Sequence, residues 1–157
     1  MKKKSDVKRV RIGISSCLLG ERVRYDGGHK RDSFLADIFG RYVEWVPVCP
    51  EFEMGLGVPR ESLRLVHEKG DVRLIAPASR TDNTRLMNVY AEKRLAELEA
   101  QQLCGYVLKR GSPSCGMERV TVFRNGSPLN RSGRGLVAER LVARFLIFPL
   151  KKDASMT

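Results

Sequence analysis

The chain has 157 residues, enough for one domain with a real core, and its 42% hydrophobic and 30% charged residues describe a soluble, globular protein and exclude a disordered segment. With 29 Lys and Arg against 18 Asp and Glu, the net charge is +11, a field that attracts polyanions, nucleic acid first among them. No apolar run approaches the roughly 20 residues of a membrane span, and MKKKSDVKRVR lacks the apolar segment of a signal peptide, so the expectation is a cytoplasmic protein with no membrane partner.

After a basic tail over residues 1–10, VRIGISSC reads as a buried strand ending at Cys17, followed by the charged, glycine-bearing loop LLGERVRYDGGHKRD. SFLADIFGRY fits a helix capped by Asp32 or Ser33. VEWVPVCPE reads as a second short strand ending at Cys49, where Pro50 stops ladder bonding. EFEMGLGVPRES is a glycine-bearing loop, and LRLVHEKGDVRLIAP reads as a hairpin turning at KGD. From Asn83 to about Leu103 the apolar positions Leu86, Val89, Tyr90, Leu95 and Leu98 keep near-helical spacing and predict the longest helix. GYVLKR is a third strand ending in the turn that bears Cys115, VTVFRNGSPLN resembles a hairpin or short strand around Asn125 and Gly126, and GLVAERLVARFLIF is a closing amphipathic helix. The alternation predicts an α/β fold with a mainly parallel sheet over residues 11–150, then a short tail over 151–157.

In such sheets ligands sit at the carboxyl ends of the strands, and Cys17, Cys49 and Cys115 each lie just beyond a predicted strand end. Each follows an apolar run and sits in a Ser, Pro or Gly turn: ISSCLLG, PVCPE, SPSCG. Their separations are too long for a local metal knuckle, so only tertiary structure could gather them. On spacing alone, three unrelated small apolar residues fit equally well. Cys104, in QQLCGYVL between helix and strand, reads as a buried structural thiol.

Three thiolates at one point demand a cation, since their repulsion would otherwise raise their pKa values. Zinc with a fourth ligand such as His29 answers that demand, and so does an iron-sulfur cluster. A cubane of four irons on three cysteines would leave one iron without a protein ligand, open to a soft substrate atom such as sulfur. Glu51 and Ser112 lie near these cysteines in sequence, and Asp26 and His29 in RYDGGHKRD fit the mouth of such a site. No HExxH or GxSxG motif is present, which removes the commonest hydrolase readings. A rival reading keeps the same residues: a basic RNA-binding module stapled by zinc. A thiol oxidoreductase is disfavoured because no CxxC occurs.

ISSCLLGERVRYDGGHKRD, VEWVPVCPEFEMGLGVPRESLRLV and KRGSPSCG, in this order and separated along nearly the whole chain, resemble the TudS-type desulfurases of thiolated uracil and 4-thiouridine. The resemblance implies a Rossmann-like three-layer α/β fold and a 4Fe-4S cluster held by three cysteines, which here would be Cys17, Cys49 and Cys115. The family's catalytic glutamate would fall on Glu51 and its serine on Ser112, with Glu53 and Ser114 close enough to compete for those roles. The implied activity is non-redox hydrolysis of a thiolated uracil to uracil or uridine and hydrogen sulfide. A free 4-thiouracil needs no field of +11, so the charge points to 4-thiouridine in tRNA as the alternative substrate.

Overall fold

The computed structural model describes residues 9–145. Most of the expected basic tail, the last positions of the closing helix from residue 146 and the tail over 151–157 lie outside the described residues. Strands β1 (Val10–Ser15), β2 (Val43–Val48), β3 (Arg64–Glu68), β4 (Asp71–Ala76), β5 (Thr81–Asp82), β6 (Gly105–Val107), β7 (Val120–Arg124) and β8 (Ser127–Gly133) are joined by helices α1 (Thr84–Ala100) and α2 (Leu136–Arg144) and by short helical turns. The expected α/β class is therefore observed. Among the described residues no helix is long and apolar enough to cross a membrane.

The strands form two sheets. One is purely parallel, in the order β2-β1-β6. Its apolar residues alternate between faces, as a sheet covered on both sides requires. Ile14 and Val107 pack with Leu18 and Leu35 on one side. Val48 and Tyr106 join the larger core on the other. The second sheet is mixed, in the order β5-β4-β3-β7-β8. The two expected hairpins build it: Lys69 and Gly70 turn at φ 49 and 83, and Asn125 and Gly126 at φ 51 and 81, the positive values that a two-residue turn matching strand twist needs. A parallel pairing of β3 with β7, Leu65 against Val122, joins the hairpins into one sheet.

α1 lies within the helix expected from Asn83 to Leu103, but the face it buries is Met87, Ala91, Leu95 and Leu98, while Leu86 and Val89 are exposed. That buried stripe packs against Val137, Ala138 and Leu141 of α2 and Leu65, Leu74 and Val122 of the mixed sheet. Arg144 bridges back to Glu92 and Glu99 at 3.1 and 2.9 Å, pairs too exposed to stabilise the fold by more than about 1 kcal/mol each. The helix expected over SFLADIFGRY is instead a π-type turn, Phe34–Ile38, continuing into a 3-10 turn, Phe39–Arg41. Asp32 does cap it, accepting the Leu35 N–H at 3.0 Å. Aromatic and β-branched residues lose side-chain freedom in a regular helix, and Gly40 lies against the Trp45 indole and the Leu35 carbonyl, where a tighter path is needed.

α2 also holds the turn that carries Cys115. Its first amides have no partners within the helix, and they donate outward: Leu136 N to the Pro113 carbonyl at 3.1 Å and Val137 N to the Ser114 carbonyl at 3.0 Å. Gly135 permits this approach, because a Cβ there would sit 2.4 Å from the Ser114 carbonyl carbon and 2.8 Å from the Cys115 nitrogen. Gly135→Ala should therefore cost roughly 1–3 kcal/mol and lower the thermal midpoint by several degrees. An unchanged midpoint by differential scanning calorimetry would contradict this packing.

Candidate active site

The register of the parallel sheet determines where the thiols emerge. Ser15 of β1 lies abreast of Val48 of β2, and Ile14 abreast of Val107 of β6. Three strands thus end at one edge. Cys17 lies in the 3-10 turn Ser16–Leu19 that follows β1, and Cys49 is the residue after β2. Cys115 lies in the compact turn reached from β6. All three line one cavity of about 270 Å³, together with Glu51, Arg60, Ser112 and Ser114. The fold thus brings Cys17, Cys49 and Cys115, far apart in sequence, to the wall of one cavity.

The Cys115 turn is built by its own side chains. Ser112 Oγ accepts the Ser114 N–H at 3.1 Å and the Cys115 N–H at 3.0 Å, and the Gly116 N–H returns to the Ser112 carbonyl at 2.8 Å. A Cβ on Gly116 would press to 2.8 Å from that carbonyl oxygen and 2.4 Å from Val120, so SPSCG closes only with glycine in the last place. Ser15, buried at the end of β1, accepts the Lys109 N–H at 2.9 Å. Its hydroxyl also favours the Cys115 thiolate, opposing the effect of burial.

The thiols feel one another. Burial pushes all three above the ordinary thiol range. For Cys17, Lys109 and Arg24 pull back down while the Cys49 charge pushes up. For Cys49, an N–H from Phe52 and the Arg60 charge oppose burial. Cys115 rises furthest: the Ser15 bond lowers it, and Cys49, Cys17 and Glu51 all raise it. Without a cation between them the three remain thiols. A metal group that accepts thiolates removes both penalties, and the surrounding Lys and Arg side chains favour its negative charge.

Glu51 and Glu53 have separate duties. Glu51 turns into the cavity, where one oxygen takes the Arg60 Nε–H at 3.2 Å and the other the Ser114 hydroxyl at 2.8 Å. Ser114 is 1% exposed. Glu53 points to α1, bonding Tyr90 and Arg94, and its second oxygen receives the Cys49 N–H at 3.1 Å. Burial and the Glu53 carboxylate together drive the Tyr90 phenol far above its usual value, so that hydroxyl stays a donor. Glu53 therefore braces the Cys49 loop against the helix.

Two other expected participants lie apart. Asp26 accepts the Gly28 N–H at 2.9 Å in a local turn. His29 is exposed, accepts the Arg31 N–H at 3.0 Å, and lines a neighbouring groove with Lys30, Arg31, Lys109 and Arg110 rather than the thiol cavity. Cys104 corrects the expectation of a buried thiol: it is exposed. The reason is local, since Leu103 takes the inward place against the core and the next side chain turns out. Arg60 and Ser15 were missed by the sequence reading. Arg60 lies in GLGVPRES, whose glycines alone are a weak signal, and Ser15 lies inside VRIGISSC, where nothing local marks it out.

The donor set fits an iron-sulfur cluster. Three reduced cysteines share one cavity, and the buried Ser16 hydroxyl beside them has no partner among the described residues, so a bound group would satisfy a polar atom otherwise left costly. Among the described residues no group of three or more His, Cys, Asp or Glu is arranged to hold a single metal ion, the three cysteines included, so what the cysteines share is a cavity. His29 lines the neighbouring groove instead and does not join them as a fourth ligand.

Comparison with known proteins agrees with this reading. A solved structure of a 4Fe-4S-dependent thiouracil desulfidase, TudS, is similar to this chain with a TM-score of 0.71 and 32% sequence identity, covering 86% of each chain. A Bacillus subtilis (strain 168) protein, the uncharacterized YbbK, is 34% identical over 110 residues, 67% of this chain and 72% of that one. The family model for 2-thiouracil desulfurase matches residues 12–153. The chain belongs to the 2-thiouracil desulfurase family.

Proposed function

We propose that this protein is a 4Fe-4S-dependent desulfidase that hydrolyses the thiocarbonyl of a thiolated uracil, giving uracil or uridine and hydrogen sulfide. The observation that carries the reading is the meeting of three strand-end thiols and a half-buried, oriented carboxylate in one cavity. Cys17, Cys49 and Cys115 would hold the cluster. Once bound by three cysteines, a cluster of four irons supplies a Lewis-acidic iron without a protein ligand, suited to a soft sulfur.

The remaining chemistry belongs to the side chains. Glu51 takes a proton from a water that attacks the thiocarbonyl carbon. Arg60 and Ser114 hold one carboxylate oxygen each, so the base stays aimed while the water arrives. Ser112 has both lone pairs engaged by backbone N–H groups and is left with only its O–H to give. It donates to the water or to the substrate. The carbon–sulfur bond breaks, sulfur leaves as hydrosulfide with a proton from the site, and carbon keeps its oxidation state: thiocarbonyl plus water gives carbonyl plus hydrogen sulfide.

Arg24, Lys109 and Arg110 line the cavity, and Lys109 and Arg110 are shared with the basic groove beside it. These cations favour a substrate that carries phosphate, so 4-thiouridine in tRNA is preferred over free 4-thiouracil. Four free cysteines suit a reducing compartment such as the cytoplasm.

The test is hydrogen sulfide release and loss of thione absorbance when the anaerobically reconstituted protein meets 4-thiouracil, 4-thiouridine or tRNA containing 4-thiouridine. Turnover of tRNA that falls steeply with salt is the expected result. Salt-independent turnover of the free base alone would move the substrate to the base, and no sulfide from any of the three would end the reading. Glu51→Gln should keep the cluster spectrum and lose at least about 100-fold in turnover. Cys17→Ala, Cys49→Ala and Cys115→Ala should each lose both, whereas Cys104→Ala should keep both. A fully active Glu51→Gln protein would remove Glu51 from the mechanism.

A further inference from the structure

Arg60 has capacity that the clamp on Glu51 does not use. A guanidinium carries five N–H donors and can shed none of its charge. Here Nε gives to Glu51 Oε1 at 3.2 Å and Nη1 to the Gly57 carbonyl at 2.9 Å, and the side chain is only 6% exposed. Nη2 has no hydrogen bond among the described residues. The buried side-chain polar atoms left without a partner there are Ser16 Oγ and Trp45 Nε1. Nη2 is not one of them, and Arg60 is among the residues that line the cavity.

The donor is also held rigidly. The Arg60 backbone N–H bonds the Tyr25 carbonyl at 2.9 Å, tying its loop to the segment that carries Arg24 and Tyr25 along the cavity wall. Donor and carboxylate thus form one unit through the Arg60–Glu51 pair. Each monothiolated uracil keeps one ring carbonyl, a planar acceptor two ring positions from the thiocarbonyl carbon.

We infer that Arg60 is a specificity-determining residue, whose Nη2 donates to the ring carbonyl oxygen that a thiolated uracil retains. The inference rests on the desulfidase reading and names how that substrate is recognised. An enclosed site built to donate a hydrogen bond penalises a ligand that lacks the acceptor, because the donor is then desolvated without compensation. The same contact sets the ring's distance from Glu51, so the base and the thiocarbonyl carbon are brought into register by a group that takes no part in bond making.

The test pairs 4-thiouracil with pyrimidine-4-thione, which lacks the oxygen at position 2, on the anaerobically reconstituted protein. Wild type should prefer 4-thiouracil by about 100-fold in kcat/KM. Arg60→Met should reduce the preference to a few-fold, with much of the loss in KM, and Arg60→Lys should restore part of it. A second readout is binding of the products by calorimetry: wild type should bind uracil more tightly than pyrimidin-4-one by about 10-fold or more, and Arg60→Met should bind them alike. Discrimination that is unchanged in Arg60→Met would overturn the inference. If Arg60→Met fails to fold, wild type still decides, since equal binding of uracil and pyrimidin-4-one contradicts the assignment. Turnover of both thiones without discrimination would defeat this inference alone, whereas absence of any turnover would defeat the functional reading beneath it.

Discussion

The site depends on the parallel register of β2, β1 and β6. Side-by-side pairing of Ser15 with Val48 and of Ile14 with Val107 makes the strands end together, and the chain then places a cysteine just beyond two of those ends and another in the turn that follows the third. No local motif could do this, because the three thiols are far apart in sequence. Register is fixed in turn by burial. A one-residue slip of β1 would exchange Ile12 and Ile14 for Gly13 and Ser15 on the apolar face, and would break the Ser15 contact with Cys115 at the same time.

Around that edge the fold spends its polar groups on holding loops still. The amides at the start of α2 close on the Cys115 turn, Glu53 ties the Cys49 loop to α1, and Arg60 links Glu51 to the loops at Gly57 and Tyr25. The mixed sheet and α1 supply the apolar mass against which these braces rest. Rigid support matters here because the cysteines can be thiolates together only when a metal group separates them, and burial raises the cost of deprotonation further. The loops are held by backbone hydrogen bonds, which are insensitive to the charge state of the thiols.

Much of this was legible in the sequence for reasons that are local. KG and NG turns announce their hairpins because positive φ is required there, and the CPE and SPSCG segments mark loops because proline and glycine end strands. The motif resemblance put Cys17, Cys49, Cys115, Glu51 and Ser112 forward together, and all five line one cavity. What stayed hidden is non-local. The β3–β7 pairing depends on two hairpins meeting, the buried face of α1 was displaced from Leu86 and Val89 to Met87 and Ala91 by what it packs against, and Cys104 was exposed by the inward turn of its neighbour Leu103. Arg60 was invisible since nothing around it in sequence distinguishes a buried guanidinium from a solvated one. The choice between Glu51 and Glu53 is likewise a matter of which way each side chain turns, and only the fold separates the carboxylate in the cavity from the one on α1.

If three cysteines hold four irons and leave one for the substrate's sulfur, the irons are not equivalent. Mössbauer spectroscopy of protein reconstituted with iron-57, before and after anaerobic addition of 4-thiouracil, tests it most directly. One distinct iron among about four is expected, and its signal alone should shift when 4-thiouracil is added. Four irons that are all insensitive to the thione would contradict it.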